Sequence, residues 1–176
     1  MLTFVVQIIR KEVLMYKQLK WEELPKLAAT KESSWIKYLN KNKKKLEAAD
    51  LKIHAMHERV SARTNCLECA NCCRSLGPRI TDKDVERMAK ALRLKASVVT
   101  DKYLRIDEDG DLVFQTMPCP FLGDDNYCAI YESRPKACRE YPHTDRKKFF
   151  QIYKLSVKNA STCPIVYEVM EEIQGL

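Results

Sequence analysis

The chain has 176 residues, and its 45% hydrophobic content, four glycines and seven prolines exclude fibrous and disordered proteins. Its net charge of +7 resides in residues 1–63, which carry fourteen Lys and Arg against seven Asp and Glu. Eight cysteines raise the alternative of a secreted disulfide scaffold. However, no basic residue precedes the apolar N-terminal run, which is also far shorter than the ~18 residues of a membrane span. We therefore expect a cytoplasmic protein without a membrane span.

Residues 1–63 are predicted to form a basic helical extension, and residues 64–176 a single cysteine-cluster domain that binds metal. Residues 1–14 are rich in β-branched side chains, whereas Met15 opens a segment typical of an ordinary cytosolic start. We expect either that translation begins at Met15 or that residues 1–14 form a short apolar helix.

Between Trp21 and about Arg63, apolar residues recur at spacings of three and four, which predicts helices with one buried stripe. The stripe comprises Leu46, Ala49, Ile53, Met56 and Val60. His54 and His57 lie on or beside it, and we interpret both as structural because no third metal ligand is near. We interpret the lysine-rich run at residues 40–45 as an exposed helix face, in preference to a nucleic-acid or membrane patch.

Further along the chain, the predicted elements are short. Thr81 is expected to cap a helix, and a second helix is expected to run from Ala96 or Ser97 to Leu104. Alternation on both sides of a turn at residues 109–110 predicts a hairpin. A short helix carrying Cys138 and an amphipathic helix at residues 164–173 complete a mainly α fold with one small β-hairpin.

Four of the eight cysteines fall within eight residues, and the other four are spread over the rest of the chain. They are Cys66, Cys69, Cys72, Cys73, Cys119, Cys128, Cys138 and Cys163. A C-x2-C spacing lets two sulfurs of one turn reach the same metal ion, and eight sulfurs divide into two four-thiolate sites. Free cysteines that fill a core do not explain the cluster, and disulfide exchange would use only two sulfurs. The sequence therefore predicts a metal-binding protein.

The spacing leaves the grouping of the sulfurs open. One arrangement joins Cys66, Cys69 and Cys72 with a distant fourth such as Cys163, and joins the remaining four cysteines in a second site. A single cluster with several spare thiols is equally compatible. Cys119 and Cys163 both precede a proline, which fixes the local turn.

Basic and aromatic side chains surround the later cysteines. Arg134 and Arg139 flank Cys138, where cationic neighbours lower thiol pKa values and offset thiolate charge. Five residues are expected beside the ligands or around a pocket: Tyr131, Arg134, Arg139, Tyr141 and His143. His143 is also a candidate for a ligand other than cysteine.

Three linked motifs carry a family resemblance. They are the Cys66-x2-Cys69-x2-Cys72-Cys73 run, Cys119-Pro120-Phe121-Leu122, and the segment of residues 127–142. Together they resemble the YkgJ-type cysteine-cluster family, described as a zinc- or iron-chelating domain, over roughly residues 65–164. A related cluster occurs in flagellin lysine methylases, although nothing in this sequence corresponds to a separate methyltransferase domain.

We therefore hypothesise a metal-binding protein that holds an iron–sulfur cluster or zinc ions and acts in redox chemistry or as an accessory to an enzyme. Its partner would be a protein or redox partner that the sequence does not identify. One alternative is a structural zinc module with a basic surface for a partner or nucleic acid. Another is a methyl-transfer enzyme with Tyr131, Arg134, Arg139 and Tyr141 around its pocket. The C-x3-C-x2-C triad of radical S-adenosylmethionine enzymes is absent.

Overall fold

The computed structural model describes residues 20–176 and is 61% helical, with a small two-stranded antiparallel sheet. This confirms the predicted mainly α fold with one β-hairpin. The predictions for residues 1–14 and Met15 lie outside the described residues. The α-helices are α1 (Leu24–Lys41), α2 (Lys43–Glu47), α3 (Asp50–Ser61), α4 (Cys66–Cys69), α5 (Asn71–Ser75), α6 (Asp82–Leu92), α7 (Ala96–Tyr103), α8 (Lys136–Glu140), α9 (Tyr153–Asn159) and α10 (Pro164–Ile173). The strands are β1 (Leu104–Ile106) and β2 (Leu112–Phe114), and short 3-10 helices span Trp21–Glu23, Tyr131–Ser133 and Phe149–Ile152.

Helices α1, α2 and α3 build one side of the larger of two hydrophobic cores. The predicted stripe is confirmed, since Leu46, Ile53 and Val60 are fully buried and Met56 packs against them. The other side of this core comes from α9 and α10, which pack on α1 and α3. The core contains nineteen buried residues, drawn from both sides of the predicted boundary at residues 63 and 64. That boundary itself stays a prediction.

Helix α10 is more deeply buried than an amphipathic pattern implies. Seven of its ten residues are buried, and one of them is the charged Glu168. An Arg63 nitrogen lies 2.8 Å from a Glu168 carboxylate oxygen, and the Lys31 amino group lies 2.6 Å from Glu171. These ion pairs satisfy the carboxylates of α10 at its contacts with α1 and the chain after α3.

The smaller core lies between α6, α7 and the hairpin, and contains nine buried residues. Thr81 caps α6 as predicted, and its hydroxyl accepts a hydrogen bond from the Asp84 amide. Helix α7 begins at Ala96 as expected and leads into β1, which pairs antiparallel with β2. Gly110 has a φ of +79° in the connecting turn, a conformation that favours glycine. The predicted hairpin is therefore confirmed.

No helix within residues 20–176 combines the length and apolar character that a transmembrane segment requires.

Candidate metal centre

The cysteine-rich run forms α4 and α5, which lie between the helices of the larger core and the elements of the smaller one. The Asn65 side chain accepts a hydrogen bond from the Leu67 amide and so caps α4. Ala70 ends α4 in the left-handed region, with a φ of 46°, and α5 begins immediately afterwards. This sharp turn places four sulfurs on two single-turn helices. All eight cysteines are free thiols; Cys66 is exposed, Cys163 is buried, and the other six are partly buried.

Four thiols form what we call the first thiol group, which lies against the larger core. Its members are Cys66, Cys69, Cys72 and Cys163. Burial, with further contributions from the nearby Cys66 and Cys69 sulfurs, raises the pKa of Cys163 to about 12. Cys72 in turn interacts with Cys163 and Cys66. Although Cys163 follows Cys72 by 91 positions, folding makes them neighbours.

The other four thiols form the second thiol group, which lies against the smaller core. Its members are Cys73, Cys119, Cys128 and Cys138. Burial raises the pKa of Cys138 to about 12, with further contributions from the other three sulfurs. Burial likewise raises the pKa of Cys119 to about 11. The Cys119 amide donates to the Cys73 carbonyl at 2.8 Å, which fastens the Cys119 turn to α5.

The two groups meet at Cys72 and Cys73, whose sulfurs lie 4.0 Å apart. This contact makes the two thiol groups direct neighbours. The contact with Cys73 and burial raise the pKa of Cys72. The contact with Cys72 lowers the pKa of Cys73 to about 7, although burial acts in the opposite direction. The positive charges of Arg134 and Arg74 lower it as well.

Each thiol group contains one Cys-Pro turn. The backbone amides of Phe121 and Leu122 lower the pKa of Cys119 against the larger, opposing effect of burial. The amides of Ile165 and Val166 act in the same direction on Cys163. Nearby backbone amides favour the charged thiolate, which is the form that binds metal.

Arg134 is a cation whose charge acts on both thiol groups, since it also lowers the pKa of Cys66 in the first group. Its guanidinium lies 3.4 Å from the centre of the Tyr131 ring and donates to the Tyr131 carbonyl. It lowers the pKa of Cys73 and Cys128, opposing the effect of burial on Cys128. Tyr131 stacks on Tyr127, with ring centroids 5.2 Å apart.

Arg139 has a different environment from Arg134. It is exposed, and its guanidinium donates to the Arg134 carbonyl at 3.2 Å. Of the two arginines that flank Cys138 in sequence, Arg134 is therefore the one whose charge is directed at the sulfurs.

Asp84 and Arg87 on α6 position this region, and the sequence did not single out either as part of a site. The Asp84 carboxylate accepts hydrogen bonds from Thr81, Arg87 and the Lys136 amide at the start of α8, which carries Cys138. Arg87 also donates to the Arg134 carbonyl at 2.8 Å. Although burial acts in the opposite direction, these bonds lower the pKa of Asp84 to about 2. The acidic residue in the first turn of α6 was visible in the sequence, but its link to α8 was not.

Tyr141 and His143, both expected near the ligands, lie in different surroundings. The Tyr141 side chain packs against the larger core, and its phenol oxygen is buried beside the first thiol group. His143 stacks edge-on against Tyr141 at 5.9 Å. Burial lowers the pKa of His143, and its charged neighbours are Glu140, Arg146 and Asp145.

The contacts of His54 and His57 agree with a structural interpretation. One His54 ring nitrogen lies 3.2 Å from the Arg146 carbonyl oxygen. One His57 ring nitrogen lies 2.6 Å from the Thr144 hydroxyl. Both histidines thus fasten residues 144–146 to α3.

The first thiol group borders a cavity of about 410 Å³. Cys69 forms part of its wall, together with Trp21, Glu68 and the Arg63–Glu168 ion pair.

Within residues 20–176, no set of three or more His, Cys, Asp or Glu side chains is already arranged to hold a metal ion. The chemistry of the donors nevertheless fits a soft metal. Eight free thiols, with amides and a guanidinium directed at several of them, form an all-sulfur donor set suited to zinc or iron–sulfur clusters. Raised thiol pKa values mean that metal binding must displace protons, and the bound cation then offsets the repulsion between neighbouring thiolates.

Comparison with known proteins identifies the family. No curated protein and no solved structure matches the chain. Residues 65–164 match the CxxCxxCC family, which is described as a "putative zinc- or iron-chelating domain". The match covers more than half of the chain and includes all eight cysteines. The chain therefore belongs to the CxxCxxCC family of cysteine-rich, zinc- or iron-chelating domains.

Proposed function

We propose that this protein binds metal in two adjacent four-thiolate centres, one in each thiol group, with iron–sulfur chemistry ahead of zinc. The observation that carries the proposal is the repeated Cys-Pro turn, in which the two backbone amides after the proline favour the thiolate of Cys119 in one group and of Cys163 in the other. A cysteine that only fills a core needs no such donors, whereas a thiolate ligand is stabilised by them.

The surrounding residues hold the sulfurs and balance their charge. In the second thiol group, the Asp84 carboxylate fixes the start of α8 and hence Cys138, while Arg134 and Arg74 offset negative charge at Cys73. In the first, Asn71 donates from its side chain to the Thr162 carbonyl at 2.9 Å, which joins α5 to the turn before Cys163. Bound iron–sulfur clusters would supply electron transfer, and bound zinc would stabilise the fold.

All-cysteine ligation with cationic neighbours supports a role in redox chemistry or as an accessory to an enzyme. Such a centre would exchange electrons with a protein partner, and the exposed Cys66 marks the side on which the sulfurs come nearest to solvent.

The first experiment is anaerobic purification, followed by metal and acid-labile sulfide analysis and an absorption spectrum. Iron and sulfide in equal amounts, with absorption near ~400 nm, would support iron–sulfur centres. Colourless protein with about two zinc ions per chain would support two zinc–thiolate sites and reject the iron–sulfur assignment. Folded protein with no stoichiometric metal would overturn metal binding altogether.

A second candidate function rests on a basic surface that the fold assembles from two distant segments. We define it by six exposed residues: Lys43, Lys44, Lys45, Arg146, Lys147 and Lys148. The Asp50 carboxylate accepts hydrogen bonds from the Lys148 and Phe149 amides at 2.5 and 3.1 Å, which places both segments side by side. Concentrated positive charge supports binding of a nucleic-acid backbone.

A salt series tests this candidate. Binding of a fluorescent single-stranded RNA and a duplex DNA would be measured between 50 and 200 mM salt, a range over which phosphate contacts lose orders of magnitude in affinity. The Lys44→Gln/Lys147→Gln protein should bind more weakly and with a shallower salt dependence. Lys90→Gln/Lys95→Gln, on the smaller core, serves as the charge-matched control. Absent or salt-independent binding would remove this candidate.

A further inference from the structure

Three large apolar side chains are exposed beside the cysteines. Leu67 directly follows Cys66, and Tyr127 directly precedes Cys128. Leu67, Tyr127 and Tyr131 are 45, 47 and 38% exposed, and we call these three side chains the apolar patch. Single exposed apolar residues are ordinary on a protein surface, whereas a group of them marks a site of interaction.

The fold assembles the apolar patch from two segments that are distant in the sequence. The Asn126 side chain donates to the Leu67 carbonyl at 2.6 Å, across 59 positions of the chain. It also accepts a hydrogen bond from the Arg74 guanidinium, so its loop is tied to both α4 and α5. The Tyr127 and Tyr131 rings then stack with their centroids 5.2 Å apart. These contacts bring the three side chains to one region of the surface, next to cysteines of both thiol groups.

The charges around the apolar patch are mainly negative, although the whole chain carries +7. The two segments that carry the patch, residues 66–75 and 123–134, contain four carboxylates and two guanidinium groups: Glu68, Asp124, Asp125, Glu132, Arg74 and Arg134. Among residues 20–176, no ion pair involves any of these four carboxylates. The guanidinium of Arg134, in contrast, lies 3.4 Å from the Tyr131 ring centre, and that of Arg74 is bound to Asn126. The negative charge is therefore left for a partner to neutralise.

We propose that the apolar patch binds a protein partner whose own contact face is apolar at its centre and basic around its rim. This inference rests on the proposed function, because the partner is the one that would exchange electrons with the thiol groups. Tyrosines are enriched among the residues that carry binding energy at protein interfaces, and complementary charges speed association and exclude wrong partners. The patch provides the apolar centre of the interface, and the four carboxylates provide its acidic rim.

The experiment uses cytochrome c, a basic redox protein, as the probe. Its lysine-acetylated form serves as the matched probe without the basic rim. Binding to the anaerobically purified protein is measured between about 10 and 150 mM salt, over which the Debye length falls from about 30 to 8 Å. We expect native cytochrome c to bind, and to bind more weakly as the salt concentration rises. Acetylated cytochrome c should bind at least about 10-fold more weakly than the native form at low salt.

Substitutions in the apolar patch and its rim test the two parts of the interface separately. Tyr127→Ser should weaken the binding of native cytochrome c by about 10-fold. Tyr127→Phe keeps the aromatic ring and should bind like the unsubstituted protein. Asp124→Asn/Glu132→Gln should weaken binding and make its salt dependence shallower, because rim charges act through long-range attraction.

Matched controls lie on the larger core. Leu155→Ser removes an apolar side chain of α9 that is 47% exposed, as Tyr127 is. Glu32→Gln/Glu47→Gln removes two exposed carboxylates from α1 and α2. Neither control should change the affinity for cytochrome c. Circular dichroism and metal analysis confirm that each variant keeps its fold and its metal content.

Equal binding of native and acetylated cytochrome c, or equal losses from the patch and control variants, would overturn the inference. A dimer of the free protein that Tyr127→Ser dissociates would also overturn it, because a second copy of the chain would then cover the patch. Metal analysis of the same preparation separates this inference from the proposed function. Patch-dependent binding by a protein without metal would reject the metal centres and support the docking surface. Metal-loaded protein that does not bind cytochrome c would support the centres and reject the docking surface.

Discussion

The two thiol groups use the same Cys-Pro turn but lie in unlike surroundings. The first lies against a core of nineteen buried residues, beside the neutral phenol of Tyr141. The second lies against a core of nine buried residues, beside the Arg134 guanidinium. Because buried apolar area drives folding, we expect the larger core to fold without metal. The smaller core buries less apolar area, so we expect it to depend on metal for stability. We therefore expect the first thiol group to be attached to a core that is stable without metal. Metal bound by the second thiol group should stabilise the smaller core.

The largest expected effect tests whether the eight thiols form two separate metal centres. Cys163→Ser should remove metal from the first group and Cys138→Ser from the second, each lowering the content by about one metal equivalent per chain where zinc is bound. Adding Cys69→Ser to Cys163→Ser should remove no further metal, because both sulfurs belong to one centre. Combining Cys163→Ser with Cys138→Ser should empty both centres.

Metal analysis of purified single and double variants checks these outcomes, with circular dichroism to confirm folding. If Cys163→Ser and Cys138→Ser each abolish all metal binding, the eight thiols serve a single cluster with spare sulfurs. The distinction between the two groups would then be wrong.

Metal removal should separate the two cores. Structural thiolate sites contribute on the order of 10 kcal/mol to folding, which exceeds what a core of nine residues supplies alone. Chelation should therefore abolish amide-exchange protection in α6, the β1–β2 hairpin and α8. Helices α1, α3 and α10 should keep theirs, because they pack on one another across the larger core. Hydrogen exchange with mass spectrometry measures this, and a uniform loss over both cores would contradict it.

A medium effect is expected from Asp84→Asn, which loosens the smaller core without touching a sulfur. Hydrogen bonds hold the folded pKa of Asp84 at about 2, below its ordinary 3.8. A depressed carboxyl pKa contributes stability above about pH 4, and that stability is lost as the pH falls towards 2. The substitution should lower the free energy of unfolding by about 2 kcal/mol at pH 7 and by almost nothing near pH 2.

Urea unfolding at several pH values, with Asp82→Asn as the control, measures this difference. Asp82 is exposed in the same first turn of α6. Equal costs at pH 7 and pH 2 would show that the Asp84 carboxylate contributes nothing through its charge.

Local features of the fold could be predicted because neighbours in sequence determine them. The Thr81 cap depends on a residue three positions away, and the hairpin depends on its own alternation and on Gly110. The short helix that carries Cys138 and the buried stripe from Leu46 to Val60 follow from similarly short-range patterns. These elements formed as the sequence predicted.

Long-range placement could not be predicted in the same way. The Asp84–Lys136 hydrogen bond joins residues 52 positions apart, and Tyr141 lies near Cys163 through packing of the larger core. The sequence offered a grouping that joined Cys163 to the early triad, together with a single-cluster alternative. The structure places the sulfurs of Cys72 and Cys73 in contact, while the grouping of the eight thiols and their metal binding stay predictions. Periodicity and spacing carry no information on which distant turns meet, since packing of the two cores decides this.

The smallest expected effect concerns the cation beside the second thiol group. Arg134→Gln should raise the pKa of Cys73 above its present value of about 7, since the guanidinium favours the thiolate. A thiol with a higher pKa holds its proton more strongly, so acid should release metal from the second group at a higher pH, by about half a unit given solvent screening. A zinc-release titration in the Cys163→Ser background isolates that group.

Arg139→Gln is the matched control, because Arg139 flanks Cys138 equally in sequence but lies exposed against the Arg134 carbonyl. Equal shifts from both variants would mean that overall positive charge, rather than the placement of Arg134, distinguishes the second group from the first.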